Sequence, residues 1–541
     1  MQRIPQIKPA LSLLGAMAAL LVQACSGVSA DVADTKGAGP RDGDVAAGTR
    51  IERPHGHSFY VSTSGSPAGD GSEAHPWDLA TALAQPGAVR PGDTIWIRGG
   101  RYGDGSAEAT VHSRLAGTEA LPIVVRAYPG ERAILDEWLQ VGCCQGAADP
   151  RQGAWVWFWD LEFAGYNPDR TSGRSGPPEW SRMANHAAAD TWAPGTRFIN
   201  CVVHDTGGGL SLWQEDAGGE AYGNLIYHVG GQGPDRGHGH GFYVQNSNGV
   251  KRLAENIVFD NFGAGVHCYG SKNADVRDLV LEGNAVFDNG AIGNVHSASD
   301  NIIVAGGEGG AQNILLAHNF TYFRPELSGY NEMGDPWSPR NGSAVVQDNY
   351  FVGGMDALDF WRWESLRVTH NLIMNGTHPM VNVVPLQAGP SYEWDTNMYY
   401  GSGSFTLDRA GRTWEAWRGA GGMDAQSHYG GTRPHGTVVA VRANRYERGR
   451  ANIIIYNWDH APSVTVNLAG ILERGESYEV RDAQNFFGAP VRKGTYQGGP
   501  VELPMTGLSA AQPNGSVSRP HVHTAPEFAV FVVRSTTQSK D

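Results

Sequence analysis

The sequence predicts an all-β protein: a parallel β-helix, or solenoid, followed by a small antiparallel β-sandwich. Three observations carry this expectation. From Thr196 onward an asparagine repeatedly precedes a short apolar strand, at Asn200, Asn224, Asn256, Asn284, Asn319, Asn349, Asn371 and Asn397. Their steps of about 22 to 35 residues fall in the range of solenoid repeats. The stretch 237–270, GHGHGFYVQNSNGVKRLAENIVFDNFGAGVHCYG, holds two similar units in which glycines lead into alternating residues, 241–245 and 265–269. Beyond Tyr400 the repeat fades, and short alternating runs at 437–442, 451–456, 463–468, 477–480 and 528–533 read as the hairpins of a sandwich.

The chain opens with Arg3 and Lys8, an apolar run over 10–22 and then Gln23-Ala24-Cys25. The run is too short for a spanning helix, so 1–24 reads as a secretory signal peptide. Val22-Gln23-Ala24-Cys25 resembles a bacterial lipobox, which makes Cys25 the expected lipidation site. Gln23 departs from the usual small residue, and cleavage with release is the alternative. Ser26, where an aspartate would favour inner-membrane retention, points to an outer-membrane lipoprotein. Residues 25–55, rich in Gly, Ala and Asp, read as a flexible tether.

Phe59-Tyr60-Val61 is a short strand, and 77–83 is a short helix with Asp78 as its N-cap. Turn, strand and turn follow over 91–102, and further apolar strands over 122–130 and 133–136. This opening resembles the N-terminal cap and first rungs of right-handed parallel β-helix proteins of the pectate-lyase-like superfamily, especially carbohydrate-active ones. The resemblance implies a right-handed parallel β-helix over 56–404 and a polysaccharide or oligosaccharide as substrate. Residues 405–436, rich in Gly and Trp, read as a connector packed on the helix. Residues 437–536 resemble the accessory β-sandwich that closes many glycoside hydrolases. This part carries no acid pair or metal cluster of its own, so it reads as a stabilising or sugar-binding module.

Within the repeat each marker asparagine is expected to point inward at a turn, its amide stacking on the next rung and bonding exposed backbone groups. A coil must also bend through the left-handed region, which suits asparagine and glycine. The pairs His204-Asp205, Asp260-Asn261, Asp288-Asn289 and Asn375-Gly376 recur at one place in each coil, which favours turn chemistry over metal ligation.

Composition bounds the partners. With 541 residues the length prior is about two to four domains. The formal charge of -14 argues against nucleic acid and against an anionic membrane surface. Cys201 and Cys268 fall on inward strand positions and read as buried thiols, Cys143-Cys144 has no metal-ligand spacing, and nothing suggests a disulfide framework. The chain is expected to act as a monomer.

Phe242, Val244, Val266 and Cys268 form one apolar face, so Tyr243, Gln245, His267 and Tyr269 point the other way. Aligning coils on their glycines extends this outward row to Ser211 and Trp213 on one side and Asp359 and Trp361 on the other, with His296 between the His267/Tyr269 and Asp359/Trp361 pairs in a register that 291–310 leaves open. Stacked aromatics stabilise solenoids, but Ser, Gln, His and Asp need no such role, so the row reads as a binding groove. Trp213, Tyr243, Tyr269 and Trp361 could present ring faces to sugars, while Gln245, Asp359 and Arg362 could bond hydroxyls or carboxylates. His238 and His240 stand on the loop entering the central strand, where two imidazoles could take up protons. His-Gly-His alone is no metal site, since no further convergent ligand is evident.

Three mechanisms fit the resemblance. A polysaccharide lyase needs a base, an acid and a cation or metal that neutralises a uronate carboxylate. His240, Tyr243, His267 and Tyr269 are the candidate base and acid, and Arg252 or Lys272 the candidate neutraliser. Ca²⁺ could serve as well, but no residue pattern requires a cofactor. The chain lacks a clear Arg-rich pectate-lyase signature. A glycoside hydrolase needs paired carboxyls. Asp216, Asp235, Glu308, Asp356 and Asp359 are candidates, but the adjacent Asp-Asp of polygalacturonases is missing. A non-catalytic glycan-binding solenoid is the third reading. Lyase chemistry by β-elimination leads, because the row is rich in His and Tyr.

Overall fold

The computed structural model describes residues 51, 56–103, 109–142, 153–165, 169–173, 175, 187–293, 299–387, 389–420 and 423–537. The leader, Cys25, Cys143-Cys144 and His296 lie outside these residues.

The described chain coils through three sheets of twelve strands each. The first sheet runs from Ser58–Val61 to Ser391–Asp395 and the second from Gly100–Tyr102 to His428–Tyr429. The third runs from Thr110–Ser113 to Phe405–Leu407 and is closed by the antiparallel strand Ala410–Arg412. Within each sheet neighbouring coils pair in parallel, as at Phe242↔Val266 and Ile257↔Ala285. The protein is a parallel β-helix with an antiparallel C-terminal domain.

Alternation explains what fills the coil. Phe242, Val244, Val266 and Cys268 point inward into one continuous apolar core, as their spacing requires. Cys201 and Cys268 are buried free thiols in it. The ends are closed by helices. Leu79–Leu83, whose N-cap Asp78 accepts from Thr81 N at 2.8 Å, buries Leu79 and Leu83 at one end. At the other end Trp414–Gly419 inserts Trp417 beside Trp394 and Phe405. The region 405–436 thus adds strands to the second and third sheets as well as a cap.

The bend between the first and second sheets uses two successive residues. The first is left-handed, with φ of +57° at Glu255, +55° at His318, +57° at Asp348 and +58° at His370. The second is the asparagine of the ladder. Asn256 Nδ2 donates to Asn284 Oδ1 at 2.9 Å, Asn284 to Asn319 at 2.9 Å and Asn319 to Asn349 at 3.0 Å. Each also donates to a strand carbonyl of the preceding coil, as Asn284 does to Leu253 O at 2.9 Å. Asn200 is a correction. It occupies the left-handed position, with φ +54°, and the ladder place belongs to Cys201, whose N–H is accepted by Asn224 Oδ1 at 2.9 Å. Asparagine suits both positions, so the marker slipped by one residue.

The pairs read as turn chemistry behave so in part of the chain. Asp205, Asp260 and Asp288 are left-handed, and Asn261 and Asn289 form a second ladder that ends on Asn301, whereas His204 lies in the strand Val202–His204.

The C-terminal domain is a five-stranded antiparallel sheet with a two-stranded ribbon, sharing a core of its own. Its other face lies on the second sheet of the helix, where Tyr227, Phe259 and Phe287 meet Tyr456, Phe528 and Val530. Arg442 fixes the contact with a buried ion pair to Glu255. The second sheet is therefore covered along much of its length. The third keeps its row of polar and aromatic side chains outside both cores.

Candidate active site

The third sheet's register links Gln140, Asp190, Ser211, Tyr243, His267, Ile303, Glu332, Asp359 and Asn382 in one outward column. The next outward position holds Trp213, Gln245, Tyr269 and Trp361. This is the row read from the glycine spacing, with Gln140, Asp190, Ile303, Glu332 and Asn382 added.

The centre of the column is a ring cluster. His240 and His267 lie 4.1 Å apart between centroids, Tyr243 stands edge-on to His267 at 5.3 Å, and Tyr269 lies 5.1 Å from it. Such closeness needs bare backbone. Gly239 is left-handed, and a Cβ there would sit 2.4 Å from Gly207 O; a Cβ on Gly263 would sit 2.2 Å from Gly239 O. These glycines let the loop carrying His240 descend onto the coil that carries His267.

Hydrogen bonds set the protonation. His240 Nδ1 accepts from Ala264 N at 3.2 Å, so the proton of the neutral ring is on Nε2. Burial, then the neighbouring His267 and Arg236, holds the His240 pKa well below the usual histidine value. Burial, then Arg236, pushes His267 down to about 4. Its Nδ1 is buried and has no hydrogen-bond partner among the described residues. Burial and the Asp335 carboxylate push the Tyr269 phenol up to about 12. Gln245 ties the two tyrosines together, its Nε2 reaching Tyr243 Oη at 3.5 Å and Tyr269 O at 3.2 Å. At neutral pH the cluster presents uncharged imidazoles and phenols.

Beyond Ile303 the column turns acidic. Glu332 and Asp359 are register partners, and Tyr330, on the strand of Glu332, has Asp300 of the preceding coil and Asp356 of the following coil as its register partners. The register shifts between Asp300 and Ile302 and again between Tyr330 and Glu332. Such bulges re-aim side chains. Burial, then Asp300 and Asp359, pushes the Glu332 pKa up to about 9, and burial, then Asp356, pushes Asp359 up to about 8. Asp359 also accepts from Trp361 Nε1 at 2.7 Å and Asn382 Nδ2 at 2.9 Å. The group retains protons at neutral pH. Among the described residues no three His, Cys, Asp or Glu side chains are placed to hold one metal ion.

A stability test follows. The folded Glu332 carboxyl binds its proton more tightly than an unfolded one, so its contribution to stability falls as pH rises from about 4.5 toward about 9. Glu332→Gln removes that dependence. The variant is expected to melt above the parent at pH 9 and with it at pH 4; an offset constant across pH would show that Glu332 ionises freely.

The other end of the column is aromatic. Trp192 and Trp213 stack at 6.0 Å, and Asp190 accepts from Trp213 Nε1 at 2.9 Å and Trp138 Nε1 at 2.7 Å.

Several sequence candidates lie elsewhere. Arg252 is on Lys251–Ala254, a strand of the first sheet, with Glu220 and Val280 as register partners. The candidate neutraliser therefore lies on a different sheet from the ring cluster, on a segment whose neighbouring Lys251 points inward and donates to Leu212 O, Trp213 O and Gln245 O. Lys272 is on an exposed turn after Tyr269. His238 belongs to a two-stranded ribbon and faces Asp235 at 3.2 Å. Asp216 is buried, and Glu308 is exposed on a short turn beside the first sheet. Of the hydrolase candidates, Asp356 and Asp359 come together.

Sequence reasoning missed Glu332, Asp300, Asp190 and Arg236. Gly329 followed by the alternating 330–333 was a signal for Glu332, hidden because the inward neighbour is Asn331, which donates to Thr321 Oγ1 and Ala357 O.

No protein-family model matches the chain, and no curated protein matches it. Solved structures of similar form include pectate lyase Pel9A, at 16% identity and TM-score 0.42, covering 66% of this chain and 78% of that one. Another is a lacto-N-biosidase from Eubacterium ramulus, at 13% identity and TM-score 0.40, covering 65% and 68%. A third is a mannuronic acid specific polysaccharide family 6 lyase from human gut microbiota, at 13% identity and TM-score 0.35, covering 68% and 90%. The fold assignment itself stands on the three parallel sheets.

Proposed function

We propose that the protein is a carbohydrate-active enzyme that cleaves a uronate-containing polysaccharide by β-elimination in the groove of the third sheet. The observation that carries the reading is the pair of uncharged imidazoles, His240 and His267, 4.1 Å apart and flanked by Tyr243 and Tyr269 on an elongated face. His267 takes the proton from the carbon beside the uronate carboxylate. The electron pair forms the carbon–carbon double bond, the glycosidic C–O bond breaks, and the leaving oxygen takes a proton from Tyr269. His240 donates through Nε2, and the nearby Arg236 opposes the charge that develops on the carboxylate. Trp213 and Trp361 provide ring faces for sugars on either side.

A second reading has its own observation. Glu332 and Asp359, adjacent and with raised proton affinity, could act as the carboxyl pair of a glycoside hydrolase. Incubation of the purified protein with uronate and neutral polysaccharides separates the possibilities. Absorbance from an unsaturated uronate product supports elimination. Reducing ends without that absorbance support hydrolysis, and binding without cleavage supports a glycan-binding solenoid.

Export belongs to the same proposal, with a monomer held at the outer membrane through lipidated Cys25. Cys25→Ser is expected to release the protein from membranes; unchanged fractionation would rule out an acyl anchor.

A further inference from the structure

The groove continues past Asp359. Beyond Trp361, where the chain turns from the third sheet toward the first, lies a cavity of about 470 Å³ lined by Arg362, Val384, Leu386, Gln387, Asp408 and Arg409 among others. Val384 is the register partner of Trp361, so the cavity prolongs the outer line of the groove by one coil. Its size suits a sugar unit.

Two arginines define its chemistry. Arg362 is anchored through Nη1, which donates to Pro336 O at 2.9 Å and Ser338 O at 3.0 Å, leaving its other N–H groups for a ligand. Arg409 stands exposed at the tip of the hairpin between Phe405–Leu407 and Ala410–Arg412. Asp408 shares that tip, and its N–H bonds Val383 O at 2.8 Å. Among the described residues neither arginine forms an ion pair, with Asp408 or with any other carboxylate. In a chain of net charge -14, two unpaired guanidinium groups in one cavity are a local exception.

The backbone adds a second argument. Leu407 pairs with Ala410, so Asp408 and Arg409 form a two-residue loop, with φ of +49° and +64°. That is the hairpin turn for which Asp-Gly is a preferred pair. Arginine at the second position is strained, and so is Arg362 at φ +52°. Local stability alone would place glycine at 409.

We propose that this cavity is a subsite for the carboxylate of an acidic sugar several units from the cleaved bond, with Arg409 and Arg362 as its anion-binding groups. The inference rests on the reading of the third sheet as a polysaccharide groove. From His267 to Asp359 the register advances three coils, about 14 Å at about 4.8 Å each. A ligand that joins the two places must be an oligomer.

The test is calorimetric binding to the intact protein of oligogalacturonate hexamer and dimer, a sulfated chondroitin hexamer and neutral xylohexaose, with Arg409→Gly and Arg409→Lys beside the parent. The galacturonate hexamer is expected to bind more tightly than the dimer and xylohexaose. Arg409→Gly is expected to weaken the hexamer roughly tenfold, the loss of one charged hydrogen bond, while leaving the dimer unchanged. It is also expected to raise the melting temperature, which separates a lost contact from a damaged fold. Arg409→Lys is expected to retain part of the affinity. Equal hexamer affinity in the parent and Arg409→Gly, equal binding of acidic and neutral hexamers, or no acidic hexamer bound by the parent would each overturn the subsite. Preference for the sulfated hexamer would overturn the carboxylate assignment. Arg409-dependent binding without cleavage keeps the subsite and removes elimination; cleavage indifferent to Arg409→Gly does the reverse.

Discussion

His267→Ala is expected to lower turnover on an acidic polysaccharide by about 10²- to 10⁴-fold, the usual contribution of a positioned base, with an unchanged melting temperature. The side chain faces outward between His240 and Tyr243, and its removal opens no hole in the apolar core. Tyr269→Phe is expected to act through the second proton. The pH profile distinguishes the chemistries. A base with a pKa of about 4 is ready above that pH, and an acid of about 12 keeps its proton up to that pH, so elimination should give a broad plateau across neutrality. A carboxyl acid at Glu332 would lose its proton near pH 9, so hydrolysis by that route should fail on the alkaline side. Wild-type turnover in His267→Ala would remove the ring cluster from the chemistry and leave the carboxylates as the centre.

Asn284→Ala is expected to be the most damaging single change outside the apolar core. Asn284 Oδ1 accepts from Asn256 N at 3.0 Å and from Asn256 Nδ2 at 2.9 Å, and Asn284 Nδ2 donates to Leu253 O at 2.9 Å. These groups are buried, and water cannot replace the amide without opening the coil. Leaving the Asn256 N–H and the Leu253 carbonyl unsatisfied costs about 1–3 kcal/mol each, so about 2–6 kcal/mol against a typical total of about 5–15 kcal/mol. Denaturant unfolding measures it directly. A loss below about 1 kcal/mol, less than the desolvation of one buried polar group, would mean that the ladder is not a structural column.

Much of this architecture was legible because a solenoid writes its register into the sequence. Ser211, Tyr243, His267 and Asp359 fell into line from glycine spacing alone, and the structure joins them through one sheet. The acidic half was hidden for a local reason. Bulges at Asp300 and Tyr330 break the count, and Asn331 takes an inward place that elsewhere is apolar. Asp190 follows a run of alanines that gives little strand signal, and Arg236 sits on a loop with no periodicity. Which face stays open was encoded but not read. Second-sheet strands such as Leu225–Tyr227 and Ile257–Phe259 are apolar on both sides, the signature of a sheet covered on both faces.

The asparagine ladder has a direction. Every amide passes one of its two N–H groups to the amide oxygen of the next coil toward the C-terminus, so the column is a file of aligned dipoles, as the peptide groups of an α-helix are. Its partially positive end is Asn397, where Nδ2 meets Asp424 Oδ1 at 3.3 Å; the carboxyl also receives Trp417 Nε1 at 2.6 Å and Tyr399 Oη at 2.9 Å. A carboxyl group closing the N–H end of a dipole row is what an acidic residue does at the start of a helix. The terminal cap of this solenoid is thus an electrostatic stop as well as an apolar one, and a coil added after Asn397 would have to bring its own acceptor to replace it.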